Sequence, residues 1–183
     1  MGYHDKKIIR LDNRDYSWSG DYFVTICTQL RECYLGEIIN KQMVLSAVGG
    51  IAKESWMNIP NHFKNVILGP FVVMPNHMHG IITINNTIVH QKEENLQVGN
   101  KFKDQISNIK LNKFSRPVTG SLSVIISNFK SSVTRWCNKN KHAYFAWQPR
   151  FHERVIRDSS EYDRISQYIH ENTSHWDDDE YRH

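Results

Sequence analysis

Apolar and polar positions alternate or recur along this chain in a way that predicts most of its elements. Asp21 to Thr28 reads Asp-Tyr-Phe-Val-Thr-Ile-Cys-Thr. β-Branched and aromatic residues dominate it on both faces, which predicts a strand with a central place in its sheet. Tyr34 to Ile39 and Gln42 to Leu45 flank Asn40-Lys41, a pattern for a short hairpin. Ser46 is then placed to cap a helix carrying Val48, Ile51, Ala52, Trp56 and Ile59 at three- and four-residue spacing, with Pro60 as its stop. Val66 to Leu68 and Phe71 to Met74 are extended, Pro75-Asn76 is a turn, and His77 to Ile84 returns as a strand.

The polar stretch from Asn85 to Gly120 offers few apolar anchors and reads as an insertion. Ser121 caps the next helix, whose apolar stripe is Leu122, Ile125, Phe129, Val133 and Trp136. Phe145 to Arg157 alternates as a strand. A last helix starts at Ser159-Ser160-Glu161 and runs to about Asn172, anchored by Ile165, Ile169 and Trp176. Asp177 to Glu180 reads as a solvated acidic end. Without the hairpin and the last helix the order is βαββαβ. That predicts an α+β, ferredoxin-like split βαβ antiparallel sheet with helices on one face, an extra hairpin and a C-terminal helix. The expectation is one domain over residues 1–183 with a polar, basic insertion at about 85–120, and no internal repeat.

Charge changes this picture more than composition does. The net charge of +4 conceals a gradient: +1 over residues 1–84, +9 over 85–157 and −6 over 158–183. The basic stretch is a candidate polyanion footprint, and ordinary solvated charge is the competing reading. Hydrophobic residues at 39% exclude a disordered chain. No apolar run approaches the roughly 18–20 residues of a membrane helix, and the first ten residues lack a signal sequence's apolar core. The expectation is a soluble cytoplasmic protein with no membrane partner. Three cysteines without CxxC spacing point to inert thiols.

The candidate chemistry starts at His77-Met78-His79. Histidines two apart on a strand share a face and can share a metal. Two unrelated histidines at a strand start is the plainer reading, and two ligands rarely make a site. The last helix supplies a third: Tyr168 and Asn172, four apart, lie on one face. Asn172 offers an amide oxygen suited to Mg²⁺ or Mn²⁺, and Tyr168 a phenol able to attack phosphorus. From spacing alone, simple packing of Tyr168 beside Ile165 and Ile169 stays ahead.

Several stretches together resemble the HUH single-tyrosine transposases, most closely the REP-associated tyrosine transposase branch. They are Asp15 to Thr28, Phe71-Val-Val-Met-Pro-Asn-His-Met-His-Gly-Ile-Ile82, Ser121-Leu122 with Asn128-Phe-Lys-Ser131, Trp147-Gln148 with Phe151 to Asp158, and Arg164 to Asn172 with Trp176. They span about residues 10–176 in the family's order. MPNHxHG is specific, YIxxN alone is weak, and the ordered set is strong. The resemblance implies His77 and His79 as the metal-binding pair, Tyr168 as nucleophile and Asn172 as third ligand. It also implies a ferredoxin-like fold, a prokaryotic host, a divalent cation, Mg²⁺ or Mn²⁺, and single-stranded DNA with hairpins or palindromes as partner. A homodimer is left open, since relatives include both dimers and monomers. Thr173 stands where the family often has Pro, so the helix is expected to run slightly further.

Lys130, Arg150 and Arg154 are candidate DNA contacts, with Arg150 and Arg154 on one face of the expected strand and Arg157 on the other, free to pair with the acidic tail. His152 is a weaker candidate at the site's edge. Trp18, Tyr22 and Trp147 suit base stacking, although core packing is commoner for such residues. The leading functional expectation is metal-dependent DNA nicking and strand transfer through a phosphotyrosine. A domesticated, non-cleaving DNA-hairpin-binding protein is the alternative. A metal hydrolase of small phosphoesters is a distant third.

Overall fold

The computed structural model describes residues 19–85 and 120–182. The 86–119 part of the expected insertion and Trp18 lie outside the described residues. Among the described residues six strands and four α-helices follow one another as β1 (Gly20–Cys27), β2 (Gly36–Ile39), β3 (Gln42–Leu45), α1 (Ala47–Met57), α2 (Ile59–His62), β4 (Val66–Val73), β5 (His77–Ile84), α3 (Leu122–Lys139), β6 (His152–Ile156) and α4 (Ser159–Glu171). A 3₁₀ segment, Asn172–Asp178, continues α4. The main sheet runs β4-β5-β1-β6 with every neighbour antiparallel. That is the strand order of the split βαβ sheet, with β1 central as its two-sided apolar pattern requires.

The sheet has two unlike faces. Tyr22, Val24 and Ile26 of β1 join Met78 and Ile82 of β5 against Val48, Ala52 and Trp56 of α1 and Ile125, Phe129 and Val133 of α3. The other face carries a smaller cluster, Phe23, Val72, Ile81 and Ile156 against Tyr162, Ile165 and Ile169 of α4. The last helix therefore packs opposite α1 and α3, so the expectation of helices on one face holds for α1 and α3 alone. Because side chains alternate along a strand, the α4 face is also the one that receives His77 and His79.

Several local details differ from the pattern reading. Pro60 does not stop α1. The break falls at Asn58, and Pro60 sits in the first turn of α2, where its missing N–H has no partner to lose. The two extended pieces around Gly69-Pro70 form one strand, with a register shift between Leu68 and Phe71. This one-residue bulge keeps Leu68 and Phe71 on the same face and sets Val72 opposite His79. Pro70 is tolerated there because β4 is an edge strand. Phe145 to Arg157 is not one strand: Trp147 makes an isolated bridge to Thr28, and β6 starts only at His152. Pro149 lacks an N–H for the ladder and interrupts it. Arg150 therefore lies outside β6, and the face-sharing argument that linked it to Arg154 does not apply.

Other expectations match closely. Asn40 and Lys41 both take positive φ, 50° and 62°, as a tight hairpin turn demands. The Ser46 hydroxyl accepts from Gly49 N–H at 3.0 Å. Ser121 occupies the α3 N-cap position, yet its side chain makes no capping bond. The α4 cap is Asp158, whose carboxylate accepts from the Glu161 N–H at 2.8 Å. Among the described residues no helix is long and apolar enough to cross a membrane.

Candidate active site

His77 opens β5 immediately after the Pro75-Asn76 turn, and His79 follows on the same face. Their Nε2 atoms lie 3.1 Å apart. Each ring is held from behind through Nδ1. The Asn76 side chain donates through Nδ2 to the carbonyls of Arg31 (3.1 Å) and Tyr181 (2.8 Å). Its Oδ1 is thereby the atom facing His77, and it accepts from Nδ1–H at 2.8 Å. That bond leaves the Nε2 lone pair of His77 free, the tautomer a metal ligand needs. Thr25 Oγ1 meets His79 Nδ1 at 2.8 Å from the facing position on β1. Both imidazoles are buried, at 0% and 1% exposure. Burial pushes the His77 pKa down to about 2, aided by His79 and Arg31, and that of His79 to about 3. Both are neutral, with lone pairs turned toward one point.

The tight geometry of the motif has a packing cause. Gly80 lies under the indole of Trp56, and a Cβ there would collide with the ring. Any larger residue would push β5 away from α1 exactly where the histidines are set. Such close approach explains the glycine that follows His79.

Tyr168 and Asn172 enter from α4. The Tyr168 hydroxyl donates to His79 Nε2 at 3.2 Å, and the ring stands edge-on to Phe23 at 6.2 Å. At 42% exposure the phenol is open to solvent on its other side. Burial raises its pKa, the carboxylates of Asp179 and Glu180 add to this, and a hydrogen bond with Asn172 opposes them. Asn172 is 3% exposed, and its Oδ1 has no hydrogen-bond partner. A buried amide oxygen without a donor is costly, and a cation at this point would satisfy it. Two imidazole nitrogens and an amide oxygen suit a divalent cation, so the residues present fit the metal that the resemblance implies.

One expectation fails here. The acidic end is not simply solvated. The chain kinks at His175 and folds back so that Asp179 Oδ2 lies 3.8 Å from His77 Nε2. Asp177, Asp178 and Glu180 keep the expected exposure, and Asp179 alone of the four is turned inward. The Tyr181 ring then packs on His77 and His79, at 4.9 Å and 5.6 Å between centroids. Arg31 stacks on that ring at 5.2 Å and donates to the Glu180 carbonyl at 3.1 Å. A cleft of about 370 Å³ remains between Phe23, Thr25, Tyr168, Asn172, His175 and Tyr181.

The basic candidates are dispersed. The Lys130 ammonium donates to the carbonyls of Gln148 and Arg150, both at 2.8 Å, fixing the irregular segment before β6. Burial lowers its pKa to about 8. Arg154 projects from β6 on the α4 face and pairs with Glu161, which also accepts from the Arg157 N–H at 2.9 Å. The side chain that meets the tail is Arg31, not Arg157. Arg150 is exposed. His152 faces Thr25 across the sheet, 6.4 Å from the Tyr181 ring, at the edge of the cleft. Tyr22 and Trp147 are core residues. Asn76, Thr25, Asp179 and Tyr181 were not singled out by the sequence. Asn76 stands inside the MPNHxHG string and Thr25 shares alternation with Phe23, but nothing local marks Asp179 or Tyr181.

No family model matches the chain. It is 36% identical over 179 residues to an uncharacterized protein of Haemophilus influenzae, covering 98% of this chain and 94% of that one. A solved structure of a REP-associated tyrosine transposase bound to a REP hairpin is similar with a TM-score of 0.55 and 21% identity, covering 88% of this chain and 71% of its own. The chain belongs to one family with the Haemophilus protein, and it shares its fold with the REP-associated tyrosine transposase.

Proposed function

We propose that the protein nicks and rejoins single-stranded, hairpin-bearing DNA through a covalent phosphotyrosine on Tyr168. The observation that carries this reading is the convergence of the Tyr168 hydroxyl on His79 Nε2, itself 3.1 Å from His77 Nε2, in a cleft also lined by Asn172, whose buried Oδ1 has no hydrogen-bond partner. The transposase of like fold is bound to a REP hairpin, which supports a structured DNA partner. His77, His79 and Asn172 would hold a divalent cation, Mg²⁺ or Mn²⁺. Bound there, it would supply Lewis-acid polarisation of a scissile phosphate.

The chain's own residues account for the rest. Asn76 and Thr25 hold both imidazoles in the ligating orientation. Phe23 supports the Tyr168 ring from its edge. The phenol oxygen attacks phosphorus, a Tyr–O–P bond forms and the bond from phosphorus to a deoxyribose oxygen breaks. The electron pair leaves on that oxygen, which ends as a hydroxyl carrying the proton the phenol gave up. Bond type and number are unchanged, so the released hydroxyl can attack the phosphotyrosine and reverse the step, which suits strand transfer. Lys130, Arg150 and Arg154 are the basic groups proposed to contact the DNA backbone.

The test is incubation with labelled single-stranded hairpin oligonucleotides and Mn²⁺, followed by denaturation. Wild type gives a covalent protein–DNA adduct. An adduct that persists in Tyr168→Phe rules out this nucleophile. A non-cleaving hairpin-binding protein draws support from the tail, because Tyr181 covers both histidines. Tight, salt-sensitive binding with no nick at any Mn²⁺ concentration would select that reading.

A further inference from the structure

We propose that Asp179, carried by the C-terminal tail, is itself a ligand of the cation held by His77 and His79, so that the tail is part of the metal site. The proposal rests on the metal-dependent reading above and deepens it. His77, His79 and Asp179 each turn a ligating atom inward, and the three lie within 4.8 Å of one another. The Asp179 side chain is 3% exposed. Its two oxygens have different duties: Oδ1 accepts from the Tyr181 N–H at 2.7 Å, while Oδ2 is the one facing His77 Nε2. The first bond fixes the carboxylate and leaves the second oxygen directed at the histidines. Asn172 lines the same cleft and its side chain hydrogen-bonds Asp179, yet its buried Oδ1 has no partner, an oxygen that a cation in the cleft would satisfy.

Chemistry favours the same assignment. Two neutral imidazoles and an amide oxygen carry no negative charge, so they hold a hard divalent cation weakly. An added carboxylate gives the set one negative charge and the oxygen character Mg²⁺ and Mn²⁺ prefer. Asn76 reinforces it structurally, because the side chain that orients His77 also holds the tail through the Tyr181 carbonyl. Metal binding and tail docking would then be linked: each strengthens the other.

The experiment is Mn²⁺ titration of the full chain by calorimetry, comparing wild type with Asp179→Asn, Asp177→Asn and His79→Ala. The amide of Asp179→Asn keeps the bond from Tyr181 and removes the charge. Wild type is expected to bind one Mn²⁺, His79→Ala none, and Asp179→Asn at least about tenfold more weakly, the low end of the cost of losing even an outer partner of a metal site. Asp177→Asn, in the same tail but exposed, is expected to match wild type. Equal affinity in Asp179→Asn and wild type, with binding lost in His79→Ala, overturns this inference and leaves the metal-dependent reading standing. Equal weakening by Asp177→Asn overturns it as well, since the effect is then long-range charge. No binding by wild type removes both. Melting temperatures of all four proteins identify any loss caused by unfolding, and a deletion from Asp179 onward replaces Asp179→Asn if that variant melts early.

Discussion

The Tyr168 hydroxyl of α4 and Nε2 of His79 in β5 meet at 3.2 Å although 89 residues separate them in sequence. Neither element makes a site alone. The sheet sets the histidine's height and direction, and the helix on the same face brings the phenol to it. If this pair is the reactive centre, Tyr168→Phe removes the attacking oxygen together with its hydrogen bond to His79. Adduct formation is expected to fall below detection, with hairpin affinity within about twofold and stability lowered by about 0.5–1.5 kcal/mol, the contribution of one hydrogen bond. Gel analysis, binding titration and urea denaturation measure the three.

Asn76 holds three partners at once: His77 Nδ1 and the carbonyls of Arg31 and Tyr181. Asn76→Ala strands these buried groups. A loss of about 1–3 kcal/mol is expected, in line with unsatisfied buried polar atoms. Mn²⁺ affinity should drop about 10–100-fold, as when the outer partner of a ligand is removed. A Mn²⁺ affinity equal to wild type in a folded Asn76→Ala protein would show that His77 needs no such support.

Gly80→Ala places a methyl group against the Trp56 ring. Overpacking of this kind costs about 1–3 kcal/mol. The melting temperature should fall, and Trp56→Leu in the same protein should recover part of the loss by opening the space. An unchanged melting temperature for Gly80→Ala would mean that β5 and α1 move apart freely.

Lys130 donates to two carbonyls of the segment before β6. Hydrogen bonds from a charged donor contribute about 1.5–3 kcal/mol. Lys130→Met should therefore lower the urea midpoint. A DNA contact predicts something different: weaker hairpin binding, a shallower salt dependence and an unchanged midpoint. The two readouts separate the clamp from the phosphate contact.

Both histidines are neutral when folded because burial lowers their pKa from 6.5 to about 2 and about 3. The unfolded chain therefore binds more protons than the folded one between about pH 6.5 and pH 3. By linkage, stability in that window rises with pH and is lost as pH falls. In chelator, the melting temperature is expected to be flat above pH 7 and to drop steadily toward pH 4. His79→Gln, which cannot titrate, should show a shallower drop. Equal slopes would place the acid sensitivity elsewhere.

Much of this molecule follows from its sequence because the signals are local. Alternation fixes which face of a strand is apolar, so His77 and His79 had to share a side and Met78 had to face the core. The i, i+4 spacing put Tyr168 and Asn172 on one side of α4, and positive φ at Asn40-Lys41 set the hairpin. The strand order follows from the βαββαβ pattern because short, right-handed connections leave few alternatives.

What the tertiary structure decided is everything that depends on a distant partner. Which sheet face α4 covers is not encoded in α4's own stripe, since any apolar face would accept it. Pro149 reads as a break only once its neighbours are seen paired with β1. The acidic tail is the clearest case. Four consecutive acidic residues look solvated because a run of like charges favours water, and neither Trp176 before it nor Tyr181-Arg182 after it shows which way the chain folds. Yet the kink at His175, the Asn76 amide and the stacking of Arg31 on Tyr181 turn one of them, Asp179, back onto the histidines. Sequence determines which chemical groups exist and which face each takes on its own element. Only the packing of elements against one another brings the Asp179 carboxylate within 4 Å of His77.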